Sequence, residues 1–224
     1  MELKVIDVIF MIPALMFAVI MHEVAHGFVA YKLGDDTAKR ENRLTLNPLP
    51  HIDPLGSIVL PALLILIGSP FLFGWAKPVP INPYNFRKLD YRSGTAVTSS
   101  AGPITNISLA ILFSALYHIF TNPEILSSMA STLGAWFIES VIVPLAIFFK
   151  YSVIINLVLA IFNLLPIPPL DGGHILLSLL PINIYEKVAP YEQYGFFILI
   201  LLLFTGVIGF IVMPVYSFFL TLLL

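Results

Sequence analysis

The sequence predicts an all-α polytopic membrane protein of about five to six transmembrane helices, with a re-entrant segment and a short extended or β region. Three observations predict it. Of the 224 residues, 58% are hydrophobic. Only 11% are charged, and mean hydropathy is +0.95, whereas an ordinary soluble domain is about 25% charged. Apolar runs of spanning length also recur along the chain, separated by polar and proline-rich stretches. The length fits a single membrane-embedded domain over 1–224, without room for a sizeable soluble domain beside it. A net charge of −2 gives no reason to expect nucleic acid as a partner. With no cysteine, disulfides and thiolate metal sites are excluded, so any metal must be held by His, Asp, Glu or Asn.

The first apolar run, Val5–Leu33, exceeds the roughly 20 residues a span needs, and Gly34-Asp35-Asp36 closes it in polar loop chemistry. No small-residue cleavage site follows this run, so it is read as a retained helix rather than a signal peptide. Asp35–Pro54 is the most polar part of the chain, and its prolines rule out a continuous helix. Leu55–Gly68 is apolar but short, with Pro61 inside it, which suits a re-entrant or interfacial helix. Phe73–Pro83 carries prolines 78, 80 and 83 and is restricted to extended or edge-strand structure.

Ser93–Phe120 predicts a further span, opening with small residues that let membrane helices approach closely. Asn106 within it is open to two readings, an interhelical hydrogen bond or a functional contact. His118, near its far end, is read as interfacial. Thr121–Thr132 is a polar connection. Leu133–Leu165 is too long for one simple span, and Pro144 and Lys150 are expected to mark a break or an interface. A short helix is expected near His174–Leu180, a polar loop around Asn183–Glu192, and one or two apolar helices from Gly195 to Leu224. Basic clusters around Lys39 and Arg87 flank the short apolar segment. If both are cytoplasmic, Leu55–Gly68 dips into the membrane and returns, and the C-terminal end of the first helix faces the cytoplasm, in a cell (plasma) membrane.

The chemistry centres on His22-Glu23-Val24-Ala25-His26, a His-Glu-x-x-His pattern at the end of the first apolar run. On a helix His22 and His26 lie one turn apart on one face, where their ring nitrogens can meet one metal ion, zinc being usual. Glu23 lies about 100° around from His22 and can reach a metal-bound water as a general base without being a ligand. A solvated helix face is the bland alternative. It fits poorly, because Val8–Met21 holds no charged side chain, and ionisable groups in membrane helices mark functional sites.

A hydrolytic zinc site wants three protein ligands and one open position. Asp171 is the favoured third ligand: Pro166-Ile167-Pro168-Pro169 fixes its approach and Gly172-Gly173 permits a tight backbone after it. A helix-capping role for Asp171, and His51 or Asp53 as the ligand instead, remain open on residue chemistry.

Three motifs together resemble the site-2 protease family of intramembrane zinc metalloproteases, in its compact type without a PDZ or other appended domain. They are His22-Glu23-x-x-His26, Gly102-Pro103-x-x-Asn106, and Asn163-x-x-Pro166-x-Pro168-x-Leu170-Asp171-Gly172. The resemblance covers nearly the whole chain. It implies one zinc ion per chain bound by His22, His26 and Asp171, with Glu23 as catalytic base. It also implies a substrate-binding role for Asn163 and, by extension, Asn106. The expected substrate is a single-pass membrane protein or peptide, cleaved in or near its transmembrane segment within the lipid bilayer, as in regulated intramembrane proteolysis. A metal-ion transporter and a non-catalytic membrane scaffold are the rival classes.

Overall fold

The computed structural model describes residues 5–66 and 75–224. Met1–Lys4, the end of the predicted re-entrant segment at residues 67–68, and Phe73-Gly74 lie outside the described residues.

Helix α1 spans Val5–Leu33, and a single turn, α2, follows at Thr37–Arg40. A π-helical turn over Pro54–Val59, capped by Asp53 accepting from Gly56 N, leads into the seven-residue α3, Leu60–Leu66. Residues 75–82 contain no helix and no strand. With no N–H at Pro78 and Pro80, this stretch cannot sustain a ladder. The short β region expected from the sequence does not form among the described residues.

Helix α4 runs Tyr91–Thr121, N-capped by Asp90, and α5 runs Pro123–Leu133, N-capped by Asn122. The long apolar stretch is then one helical path. A three-residue α6, Ala135–Phe137, passes through a π-helical segment at Ile138–Ile142 into α7, Val143–Asn163. Lys150 does not break this path. The accommodation is made by π-helical geometry at Ile138–Ile142, immediately ahead of Pro144, whose nitrogen has no proton to give a preceding carbonyl. Helix α8, Asp171–Leu179, starts three residues before the expected His174. The Asn183–Glu192 stretch, expected as a loop, is helical as α9, Ile182–Val188, and a 3₁₀ segment over Ala189–Tyr194. Helices α10, Gly195–Phe204, and α11, Val207–Leu223, turn at Gly206 (φ +75°).

Among the described residues, four helical stretches are long and apolar enough to cross a membrane: Asp7–Leu33, Tyr91–Thr121, Ala135–Asn163 and Ile182–Phe204; the 17-residue α11 is a shorter apolar helix. Large apolar side chains such as Ile104, Ile111, Phe204 and Phe210 are exposed, as a lipid-facing surface requires. The chain is an integral membrane protein of the all-α polytopic class.

The centre is a three-helix core of α1, α4 and α7, with α8 against α4. It is built on small residues, Ala14 and Ala18 of α1 and Ala110 of α4 being essentially inaccessible, which is how membrane helices approach closely. Leu109 and Phe113 pack on Val153, and Ala14 and Ala18 pack on Ile155.

The two polar segments flanking α3 meet at the C-terminal end of α1. Asp35, fully buried, accepts from Thr37 N, Thr37 Oγ1, Asn82 N and Asn85 Nδ2. Arg87 N donates to Leu33 O at 2.8 Å. Burial pushes the Asp35 carboxyl up, and its hydrogen bonds to Thr37, Asn85 and Asn82 outweigh burial and hold it below the usual carboxylate value. A depressed folded value gives stability that is present at neutral pH and lost as pH falls through it. Asp35→Ala, which orphans buried donors, is expected to cost about 2–4 kcal/mol at pH 7. The difference in melting temperature between parent and variant in detergent should shrink below about pH 4.

Candidate metal centre

His22 and His26 lie one turn apart on α1, each 7% exposed, and face α4 and the start of α8. Their rings meet edge to face with centroids 4.6 Å apart, and the two Nε2 atoms are separated by 3.0 Å. Asp171 closes the group: Oδ2 lies 3.2 Å from His22 Nε2 and Oδ1 lies 3.3 Å from His26 Nε2. Among the described residues, His22, His26 and Asp171 are the group of His and carboxylate side chains spaced to hold a metal ion, their ligand atoms all within 4.8 Å of one another.

The outer nitrogens fix the protons. His22 Nδ1–H donates to Asn106 Oδ1 at 2.6 Å, and His26 Nδ1–H donates to the Thr98 carbonyl at 2.7 Å. Asn106 has no choice of orientation, since its Nδ2 donates to Asn156 Oδ1 at 2.8 Å and towards Ala18 O at 3.3 Å. With each neutral ring protonated on Nδ1, both Nε2 lone pairs point inward at the Asp171 carboxylate. The Asp171 carboxylate stands against both rings, Oδ2 facing His22 Nε2 and Oδ1 facing His26 Nε2. Asp171 Oδ2 is buried with no hydrogen-bond donor. Two lone pairs and an anion converging without a donor are what a divalent cation satisfies, and two imidazoles with one carboxylate suit zinc.

Asp171 is the first residue of α8. Leu170 is the N-cap, without a side-chain cap bond, so the capping role left open by the sequence does not apply. The turn before it is tight: Leu165 N donates to Phe162 O, Ile167 N to Leu165 O and Leu170 N to Ile167 O. A Cβ on Gly172 would lie 2.3 Å from Leu164 O, so only glycine lets α8 begin this close to the end of α7. Gly102 plays the matching part on α4, where a Cβ would sit 2.4 Å from His26 Nε2 and 2.6 Å from His22 Nε2.

The alternative ligands are used elsewhere. His51 Nε2–H donates to Thr45 O at 2.9 Å, and Asp53 caps the Pro54–Val59 turn. His118 Nε2–H donates to Leu223 O, and His174 pairs with Glu192 at 3.1 Å. Glu23 is next to His22 and accepts from Val79 N through Oε2 at 2.8 Å. Asn106, expected in contact with substrate or bonded between helices, is completely buried and makes interhelical bonds to His22 and Asn156. Asn163, at the end of α7, donates Nδ2 to Leu159 O at 2.9 Å.

Sequence reasoning missed the Thr98 carbonyl, which no side-chain pattern could signal, and the coupling of Asn156 to Asn106, for which an amide in an apolar stretch is the signal. Because Asn106 sets the tautomer of His22, Asn106→Ala is expected to weaken zinc binding by about 10–100-fold. Competition with a chelating dye measures this.

Comparison with known proteins follows the same lines. The model of peptidase family M50 matches residues 10–205. YwhC of Bacillus subtilis, named provisionally as a zinc metalloprotease, is 38% identical over 208 residues, 92% of this chain and 84% of that protein. Rip2 of Mycolicibacterium smegmatis, provisionally named likewise, is 31% identical over 197 residues, 88% of this chain and 67% of that protein. Rip2 of Mycobacterium tuberculosis H37Rv is 30% identical over 182 residues, 81% and 61% respectively. No solved structure matches the chain. A metal-ready His-His-Asp centre inside a helical membrane core, and a family match over most of the chain, place it in peptidase family M50, the site-2 protease family, as a membrane zinc metalloprotease.

Proposed function

We propose that this chain cleaves single-pass membrane proteins in or near their transmembrane segments, with one zinc ion held by His22, His26 and Asp171 and with Glu23 as catalytic base. The observation that carries the reading is the convergence of two buried imidazoles and the partly buried Asp171 carboxylate next to Glu23, which is not one of the three. Residues 1–224 act in this reading as one membrane-embedded catalytic domain.

A bound zinc ion supplies Lewis acidity, making a water acidic and polarising the scissile carbonyl. Glu23 takes a proton from the water as its oxygen bonds to the carbonyl carbon, and returns that proton to the amide nitrogen as the C–N bond breaks. Asn106 and the Thr98 carbonyl hold the two imidazoles in the tautomer that keeps Nε2 free. Asn163 has its Nδ2 tied to Leu159 O, and in this reading its Oδ1, without a hydrogen bond among the described residues, accepts from a substrate N–H. The bilayer excludes bulk water from the outer part of the core, while the site sits at the C-terminal end of α1, beside the basic segments that the positive-inside rule assigns to the cytoplasm. That orientation, and the plasma membrane as location, belong to the proposal.

Proteoliposomes carrying a single-pass membrane peptide test it. Cleavage within or beside the apolar segment, abolished by a zinc chelator and restored by zinc, is expected. Zinc uptake into the liposomes without cleavage would instead establish a transporter and overturn the reading.

A further inference from the structure

We propose that the backbone N–H of Val79 holds Glu23 in register for proton transfer, so that Val79 is a positioning residue of this centre; the inference rests on the base role proposed for Glu23. The segment over residues 75–82, without helix or strand, meets the C-terminal half of α1 at Val79, beside Glu23 and Gly27. Val79 stands between Pro78 and Pro80, neither of which has an N–H. It is therefore the single backbone donor of that triplet, and its N–H reaches Glu23 Oε2 at 2.8 Å. Among the described residues this is the hydrogen bond that Glu23 makes, and Oε1 is left for the proton.

The fit is built from both sides. Val79 is only 6% exposed. Its side chain fills the space beside Gly27, one turn along α1 from Glu23, where an added Cβ would meet Val79 Cγ1 at 2.7 Å. Upstream, Lys77 N donates to His51 O at 2.9 Å, and the buried Arg43 donates Nη2 to Lys77 O at 2.7 Å. Downstream, Asn82 N donates to the buried Asp35 at 2.7 Å. The strap is thus fastened on each side of Val79 before any substrate arrives.

The flanking prolines set the register. A slip of one residue in either direction would bring a proline nitrogen, with no proton, opposite the carboxylate. A glutamate side chain has three rotatable bonds, and one fixed donor on Oε2 removes most of that freedom. Misplacement of a reacting group by about 1 Å can cost on the order of 100-fold in rate.

The test uses the zinc-loaded full chain in nanodiscs with a single-pass membrane peptide. Val79 is replaced by its α-hydroxy acid analogue, which keeps the side chain and turns the N–H into an ester oxygen. The same replacement at Ile81, whose N–H makes no hydrogen bond among the described residues, is the control. At Val79, kcat is expected to fall about tenfold or more, with KM and zinc content unchanged; at Ile81, kcat stays at the parent value. A second arm needs no activity. In ¹⁵N-valine-labelled protein the Val79 amide proton should move upfield in Glu23→Ala. Unchanged kcat at Val79, an equal loss at both positions, a loss confined to KM, or an amide proton indifferent to Glu23→Ala would each overturn the inference. A parent that binds zinc and cleaves nothing would overturn the proposed function instead, and the amide arm would still decide whether Val79 holds Glu23.

Discussion

Glu23→Gln is expected to keep the fold and the full zinc content while cleavage falls by about 10³-fold or more. Glu23 is adjacent to a ligand in sequence but is not a member of the ligand group, so the zinc-binding set survives the change. Glutamine has the same shape, and its side-chain carbonyl can still accept from the Val79 N–H that now meets Oε2 at 2.8 Å. What it cannot do is take a proton. General acid–base catalysis by a positioned group contributes about 10²–10⁴-fold, and here a single group is asked both to activate water and to protonate the leaving amine. Zinc content by elemental analysis, helicity by circular dichroism and cleavage of a membrane peptide on one preparation separate these effects. Cleavage by Glu23→Gln at the parent rate would remove Glu23 from the mechanism. Loss of zinc along with cleavage would assign Glu23 to the coordination sphere.

The motif residues were legible because their chemistry is local. His22 and His26 need only a helix to share a face, and the apolar run around them dictates that helix. Asp171 was legible in part: prolines before it and glycines after it announced a tight approach, but a capping role fitted the same letters. The structure separates the two, since Leu170 takes the cap position and the carboxylate turns to the imidazoles. The limits of pattern reading show in Asn183–Glu192. Polar residues there suggested a loop, yet a helix at a membrane edge can be polar, and helical geometry continues through it as α9 and a 3₁₀ segment. Interactions made by backbone atoms were out of reach. The Thr98 carbonyl on His26 and the Val79 N–H on Glu23 join segments 72 and 56 residues apart in sequence, and neither depends on the side chain at the donating or accepting position.

Gly102→Ala, a change of one methyl group, is expected to reduce zinc affinity by at least about tenfold and to abolish cleavage. The added Cβ would lie 2.4 Å from His26 Nε2, 2.5 Å from His22 Cε1 and 2.6 Å from His22 Nε2, on the ligand atoms themselves. Neither helix can yield at small cost. The imidazoles are tethered through Nδ1 to Asn106 and Thr98, which are on the same helix as Gly102. Moving α4 away from α1 breaks both tethers and leaves Asn106 buried without them, whereas keeping the tethers forces the clash. The opposite side of α4 is held as well, with Leu109 and Phe113 packed on Val153 of α7. Gly209 in α11 provides the control, because nothing lies within 4 Å of a Cβ added there. Gly209→Ala should bind zinc and cleave like the parent, and gain up to about 1 kcal/mol from the better helix propensity of alanine. Zinc titration and thermal unfolding of the two variants side by side distinguish a site-specific steric effect from a general intolerance of alanine in membrane helices. Parent-like zinc affinity in Gly102→Ala would mean that α4 and α1 separate more readily than their tethers imply, and the tight approach of these helices would lose its role in shaping the centre.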